Sequence, residues 1–172
     1  MSMKRVIKIL LLLSLFLQQS CGMYSFTGAS IPVEMKTISV QFFENNAPLV
    51  VPYLSQQFTE SLKERIRNQT KLSMVRTEGD GEFTGTITDY NIRPVSVQSN
   101  ERAGAERLTI TVNVKYTNAL KEDLNFEKPF TRFAEFQVSG NAPFQTQEPD
   151  LVKKINAQLT EDIFNAAFAS NW

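Results

Sequence analysis

The 172 residues contain one cysteine and no histidine, and these two counts remove most catalytic chemistry at once. Histidine is the usual proton carrier and metal ligand near neutral pH. Without it, serine–histidine and cysteine–histidine nucleophiles and the ordinary zinc sites are excluded. Carboxylate-pair and serine–lysine chemistry stay formally open, but no spacing of either kind stands out. The chain reads as a non-enzyme with no cofactor and no metal centre.

What Cys21 can do is set by what precedes it. Lys4, Arg5 and Lys8 open the chain, an apolar run follows from Ile9 to Leu17, and Gln18-Gln-Ser20 makes a polar exit. That is the layout of an export signal. The apolar run is about half the ~20 residues a helix needs to cross a bilayer. Cys21 looks like the acylated residue of a bacterial lipoprotein, which becomes the first residue of the mature chain and carries palmitate-type chains. An aliphatic residue ordinarily stands three positions before such a cysteine. Here that position is Gln18, with Leu17 one place early and Ser20 in its expected place. A plain signal peptide with an incidental cysteine is the alternative. A single cysteine cannot close an internal disulfide in either case.

The elements that must position any other functional residue lie after the junction. Residues 1–20 are read as the signal, 21–35 as lipidated cysteine and tether, and 36–172 as one domain, long enough to bury a core without disulfides. Lys4, Arg5 and Lys8 leave with the signal, so 15 basic residues face 18 acidic ones, a net −3. No dense basic surface is in prospect, and a nucleic-acid partner is not expected.

Lys36–Phe43 alternates, with Ile38, Val40 and Phe42 on one side, which predicts a strand. Pro52 opens a helix whose Leu54, Phe58, Leu62 and Ile66 form one apolar stripe. Leu72–Thr77 is a short strand, and Gly79-Asp-Gly81 is read as a turn rather than a calcium loop. A longer strand runs from Phe83 to Ile92, with Phe83, Gly85 and Ile87 on one face, and ends at Pro94. Leu108, Ile110, Val112, Val114 and Tyr116 alternate with polar residues and give the clearest strand. Phe126, Phe130, Ala134, Phe136 and Val138 follow, with a bulge or an edge position expected near Pro129. Residues 139–149 are read as a loop. Pro149 starts a second helix with Leu151, Ile155, Leu159, Ile163 and Ala167 as its stripe, widened by Val152, Phe164 and Phe168. The expected class is α+β in the order β-α-β-β-β-α. It is a four-stranded, mostly antiparallel sheet with two helices packed on one face and a polar, Thr-rich face left open.

Particular residues carry a family resemblance. They are Cys21-Gly-Met-Tyr-Ser-Phe-Thr-Gly-Ala-Ser-Ile31, Lys36–Phe43, Asn45-Asn-Ala-Pro-Leu49, Leu54–Lys63, Arg107–Val114, Phe130–Ala134 and Glu161–Asn165. Together they resemble the lipopolysaccharide-assembly lipoprotein family LptE in its Bacteroidetes-type branch. The resemblance implies a lipid anchor at Cys21 in the periplasmic leaflet of the outer membrane. It also implies a heterodimer with an LptD-like outer-membrane β-barrel, which the protein plugs and helps to assemble, and a role in moving lipopolysaccharide to the cell surface. The fold it implies, two helices on a four-stranded sheet, agrees with the order read from periodicity.

A barrel lumen is polar and wet, so Thr-, Ser- and Asn-rich strand faces suit a plug. Lipid phosphates call for arginine or lysine near strand ends, which makes Arg93, Arg102, Arg107, Lys115 and Arg132 the candidates. At each of them an ordinary solvated charge is the competing reading. Phe133, Phe144 and Trp172 lie off the apolar stripes and are candidate interface anchors. The rival function is a stand-alone periplasmic lipoprotein that binds another envelope protein or a glycan.

Overall fold

The strand with the plainest alternation is the centre of the sheet. The computed structural model describes residues 31–49, 51–96, 105–137 and 143–169. The signal segment, Cys21, most of the tether, Arg102, the rest of the polar loop around it, and Trp172 lie outside the described residues. β1 (Thr37–Val40) and β2 (Glu44–Asn45) come first, then α1 (Leu54–Gln69) and β3 (Ser73–Val75). β4 (Gly81–Ser96), β5 (Ala105–Asn118), a 3-10 turn at Glu122–Leu124, β6 (Phe126–Gln137) and α2 (Phe144–Phe168) complete the order.

The mixed α+β class and the two helices match expectation, whereas the four-stranded, mostly antiparallel sheet does not. The sheet has six strands, ordered β3-β1-β4-β5-β6, with β2 also paired to β4. β1 runs parallel to β3 and β4, and β2 runs parallel to β4. Only β4, β5 and β6 are antiparallel. α1 is the crossover that a parallel β1–β3 pair requires. The short strand read at Leu72–Thr77 is β3, and the strand not foreseen is β2, whose two residues are too few for a period to show.

β5 turns Leu108, Ile110, Val112, Val114 and Tyr116 inward, all essentially unexposed. The stripes of α1 and α2 cover that face, with Leu54, Phe58, Leu62, Ile66, Ile155, Leu159 and Ile163 fully buried. α1 lies over β1–β3, and α2 lies over β5 and β6. The helices run in the same direction. Tyr53, at the start of α1, meets Glu148 near the start of α2, and further along Arg65 donates to the Thr160 hydroxyl (3.0 Å) and the Ala157 carbonyl (2.8 Å). At the far end Phe83, Tyr116 and Phe168 pack with centroids 4.7–6.1 Å apart. Burial there pushes the Tyr116 phenol up to about 12.

Three further differences have local causes. The alternation of the first strand breaks at Phe42. Phe43 turns inward against Phe58 (5.1 Å), and Phe42 is left 59% exposed. β4 carries an extra residue between Ile87 and Asp89 and continues through Pro94, which pairs with Glu106. α2 begins at Phe144, five residues before Pro149. Proline removes one helical amide, but tertiary contacts hold the turn ahead of it. Phe144 packs on Phe136 at 5.2 Å, and the Tyr90 hydroxyl donates to Glu148 at 2.7 Å. Near Pro129 the β5–β6 register runs without a break, and β6 is one of the two edge strands.

Gly85 is where β4, β5 and the Phe43 ring meet. A Cβ there would run into the Asn113 carbonyl and come within 2.6 Å of Phe43 Cε1. Gly85→Ala is expected to cost about 1–3 kcal/mol through overpacking, measured as a lower midpoint in urea with an unchanged slope. Asp80, just before β4, binds β1. Its Oδ2 accepts the amides of Lys36 (2.8 Å) and Thr37 (2.9 Å). The Lys36 amide first, then the Thr37 amide and hydroxyl, hold the Asp80 carboxyl below the ordinary aspartate value of 3.8. A carboxyl lowered in the folded state stabilises the fold above its unfolded value, and that contribution is lost as pH falls through the folded one. The melting temperature is therefore expected to fall on acidification below about pH 4. Thermal melts of Asp80→Ala should show a shallower fall.

Candidate functional site

The face of the sheet away from the helices is the candidate site, because it is lined with polar side chains and no helix covers it. Strand register fixes its rows. Arg93 stands opposite Arg107 and Arg107 opposite Glu135. The next row is Asn91, Thr109 and Phe133, and the one after is Asp89, Thr111 and Thr131. Thr86–Asn113–Pro129 and Thr84–Lys115–Glu127 follow. A shallow groove at the loop end is lined by Asp89, Asn91, Arg93, Arg107, Thr109 and Thr111. The Thr111 and Thr131 hydroxyls share a hydrogen bond of 2.9 Å.

The extra residue at Thr88 sets which β4 side chains reach this face. Before it, Phe83 and Ile87 point inward. After it, Tyr90 does, and Asp89, Asn91 and Arg93 point outward. Asp89 accepts a short hydrogen bond from the Asn91 amide.

The four described cations from the sequence reading are dispersed. Arg93 and Arg107 are cross-strand neighbours, and directly opposed like charges repel. Arg107 donates from Nη2 to Glu135 Oε1 at 2.5 Å. Its guanidinium also lies over the Phe133 ring, 4.0 Å from the centroid, in cation–π geometry. Its Nε is buried and makes no hydrogen bond among the described residues. Arg93 is exposed, and no acidic partner lies against it among the described residues. Lys115 shares the face, but eight residues along the strand put it roughly 26 Å from Arg107. Arg132 stands opposite the inward-facing Ile110. It reaches α2 instead, donating to both Asp162 oxygens at 2.5 and 2.7 Å.

Of the candidate aromatics, Phe133 lies on the open face, 47% exposed under Arg107. Phe144 is half-buried against Phe136. Sequence reasoning missed one cluster, Tyr53, Tyr90 and Glu148. Burial, and then the hydrogen bond to Glu148, pushes Tyr53 up to about 12 and Tyr90 higher still. The residues come from three elements, so no local spacing marks them. They pin α2 to β4 rather than opening a cavity. Among the described residues no group of three or more acidic, cysteine or histidine side chains is placed to hold a metal. No described helix is long and apolar enough to cross a membrane.

The two placements predict opposite behaviour. Arg132→Gln should lower the melting temperature, because it breaks the tie between β6 and α2. Arg93→Gln should leave it unchanged or raise it slightly, because it removes a repulsion. Differential scanning fluorimetry of the two variants side by side checks this.

Residues 35–167 match the model of the LptE family, described as lipopolysaccharide-assembly. No curated protein matches the chain. The crystal structure of rare lipoprotein B from Shewanella oneidensis is similar, with a TM-score of 0.52 at 12% identity over 76% of this chain and 92% of that one. The hypothetical protein CT253 from Chlamydia trachomatis gives 0.51 at 7% identity over 77% and 98%. At such identities the likeness is one of fold alone.

Proposed function

This chain belongs to the LptE family of lipopolysaccharide-assembly proteins, and on that premise we propose that it plugs an LptD-like outer-membrane β-barrel and assists its assembly. Membership carries a role in lipopolysaccharide assembly at the level of the family, in which the protein component is non-catalytic. The heterodimer with the barrel, the outer-membrane location and the anchor at Cys21 are the proposal.

One observation supports it above the others, the one-sided sheet. A lumen-filling domain must stay folded in water while offering hydrogen bonds over a broad area. The rows of Thr, Asn, Asp and Arg on the open face supply such donors and acceptors. The helices meanwhile bury the apolar face without help from a partner. On this reading Arg93 and Arg107 are the cations best placed to meet a lipid phosphate, with Lys115 separate on the same face. Arg132 is occupied by Asp162.

Affinity capture of the full chain from gently solubilised envelopes is expected to bring down a large outer-membrane barrel in near-equal amount. Recovery of the chain alone would favour the stand-alone lipoprotein reading. Depletion is expected to reduce lipopolysaccharide at the cell surface. Cys21→Ala is expected to move the protein from the membrane to the soluble fraction in cells where the barrel is absent. If barrel contacts alone retain it, the variant remains membrane-associated only while the barrel is present.

A further inference from the structure

We infer that Glu135 is an internal competitor for an anion site formed by Arg93 and Arg107, and sets how tightly that site takes a phosphate group. The inference rests on the reading that this chain meets lipopolysaccharide, and it adds the residue that governs the contact.

The geometry has three parts. First, Arg93 and Arg107 are directly opposed across an antiparallel pair, where Cβ atoms stand about 4.5–5.5 Å apart. Their guanidiniums can therefore converge on one anion, and an anion carrying two negative charges would cancel their repulsion. Second, Arg107 is racked. The Phe133 ring lies under its guanidinium at 4.0 Å, and Glu135 binds Nη2 at 2.5 Å. The Phe133 contact, which a ligand leaves in place, orients the guanidinium before any ligand arrives and so reduces the ordering cost of binding. Third, the Thr109 hydroxyl lines the same groove in the next row, beside Asn91, whose amide is held by Asp89.

Glu135 is the one acidic group that binds this pair among the described residues. It is about half exposed, so its ion pair with Arg107 is weak enough for a ligand to displace. A phosphate must take over the Nη2 donor that Glu135 holds. The carboxylate therefore lowers affinity for every anion by about the same factor. A phosphate monoester or diphosphate still outcompetes it, because two negative charges between two guanidiniums gain more than one.

The test uses the full chain in detergent micelles. The probes are inorganic pyrophosphate, lipopolysaccharide with its lipid phosphates, and the same lipopolysaccharide after enzymatic dephosphorylation. Glu135→Gln is expected to bind both phosphate-bearing probes about two- to five-fold more tightly, the worth of one exposed ion pair. It should bind the dephosphorylated lipid unchanged. Arg93→Gln and Arg107→Gln should each weaken the phosphate-bearing probes, and only Arg107→Gln, which removes the group that Glu135 binds, should abolish the gain from Glu135→Gln. Tighter binding of pyrophosphate as well as lipid would assign recognition to the phosphate group. A gain confined to lipid would still support the competitor role, but with the headgroup as the source of the anion. If Glu135→Gln changes nothing while the arginine variants weaken binding, the competitor role is overturned and the lipid-phosphate reading stands. If the arginine variants also change nothing, that reading fails for this face. Circular dichroism of each variant separates lost binding from lost fold, and Glu135→Asp should restore part of the competition.

Discussion

The extra residue at Thr88 is the constraint on which both faces of the sheet depend. Side chains in a strand alternate with period two, so one inserted residue exchanges inside and outside for everything after it. In β4 the exchange comes between Ile87 and Asp89. Had the alternation of Phe83, Gly85 and Ile87 continued unbroken, Asp89, Asn91 and Arg93 would point at the helices. Burying them would strand an acid, an amide and a guanidinium beneath α2, at a cost no nearby partner offsets. The bulge places Tyr90 there instead, where its hydroxyl finds Glu148. The core near the start of α2 and the arginine row on the open face are therefore set by the same backbone irregularity.

A second consequence is a division of labour between the faces. Packing fills one side with aliphatic and aromatic groups from every long element. The tie between Arg132 and Asp162 then fastens the edge strand to the covering helix. Stability needs little from the opposite side. Its residues are free to be chosen for hydrogen bonding and charge, and they include a directly opposed arginine pair that a purely structural sheet would avoid. A chain used for assembly rather than catalysis needs a rigid body and a wettable face, and this arrangement provides both.

The legibility of the sequence follows this physics. Leu54, Phe58, Leu62 and Ile66 were readable as a helix because burial repeats every turn with no interruption. Leu108 to Tyr116 were readable because β5 is central and regular. Alternation places Phe42 inward, because it cannot show that the chain kinks between β1 and β2. The bulge at Thr88 leaves no local signature, since Thr-Asp suits a strand on either face. Pro149 misplaced the start of α2 because the contacts that hold the preceding turn, Phe136 and Tyr90, are remote in sequence. At the candidate site, residue type correctly drew attention to arginines, but only the strand register distinguishes Arg93 and Arg107 from Arg132. The partner of each guanidinium, Glu135 or Asp162, lies about 30 positions away in sequence.

The parallel arrangement of α1 and α2 bears on how the molecule orients itself in an electric field. Each helix carries a partial positive charge at its N-terminus and a negative one at its C-terminus. Antiparallel neighbours would cancel, but these two add. Both N-termini lie at the end of the sheet that also carries Arg93 and Arg107, and neither helix has an acidic residue in its first turn. The helix C-termini share the other end with Glu78, Asp80, Glu122 and Asp123. Side-chain charge does not follow the same axis, because Glu106, Glu135, Glu148 and Asp150 lie at the arginine end and Lys36, Arg67, Lys71 and Lys121 at the other. A chain with 18 acidic and 18 basic residues is therefore not electrically featureless. The two helix dipoles reinforce one another along the long axis, and near an anionic surface or inside a charged lumen this component favours turning the helix N-termini toward negative potential, with a strength that falls as salt shortens the range of the field.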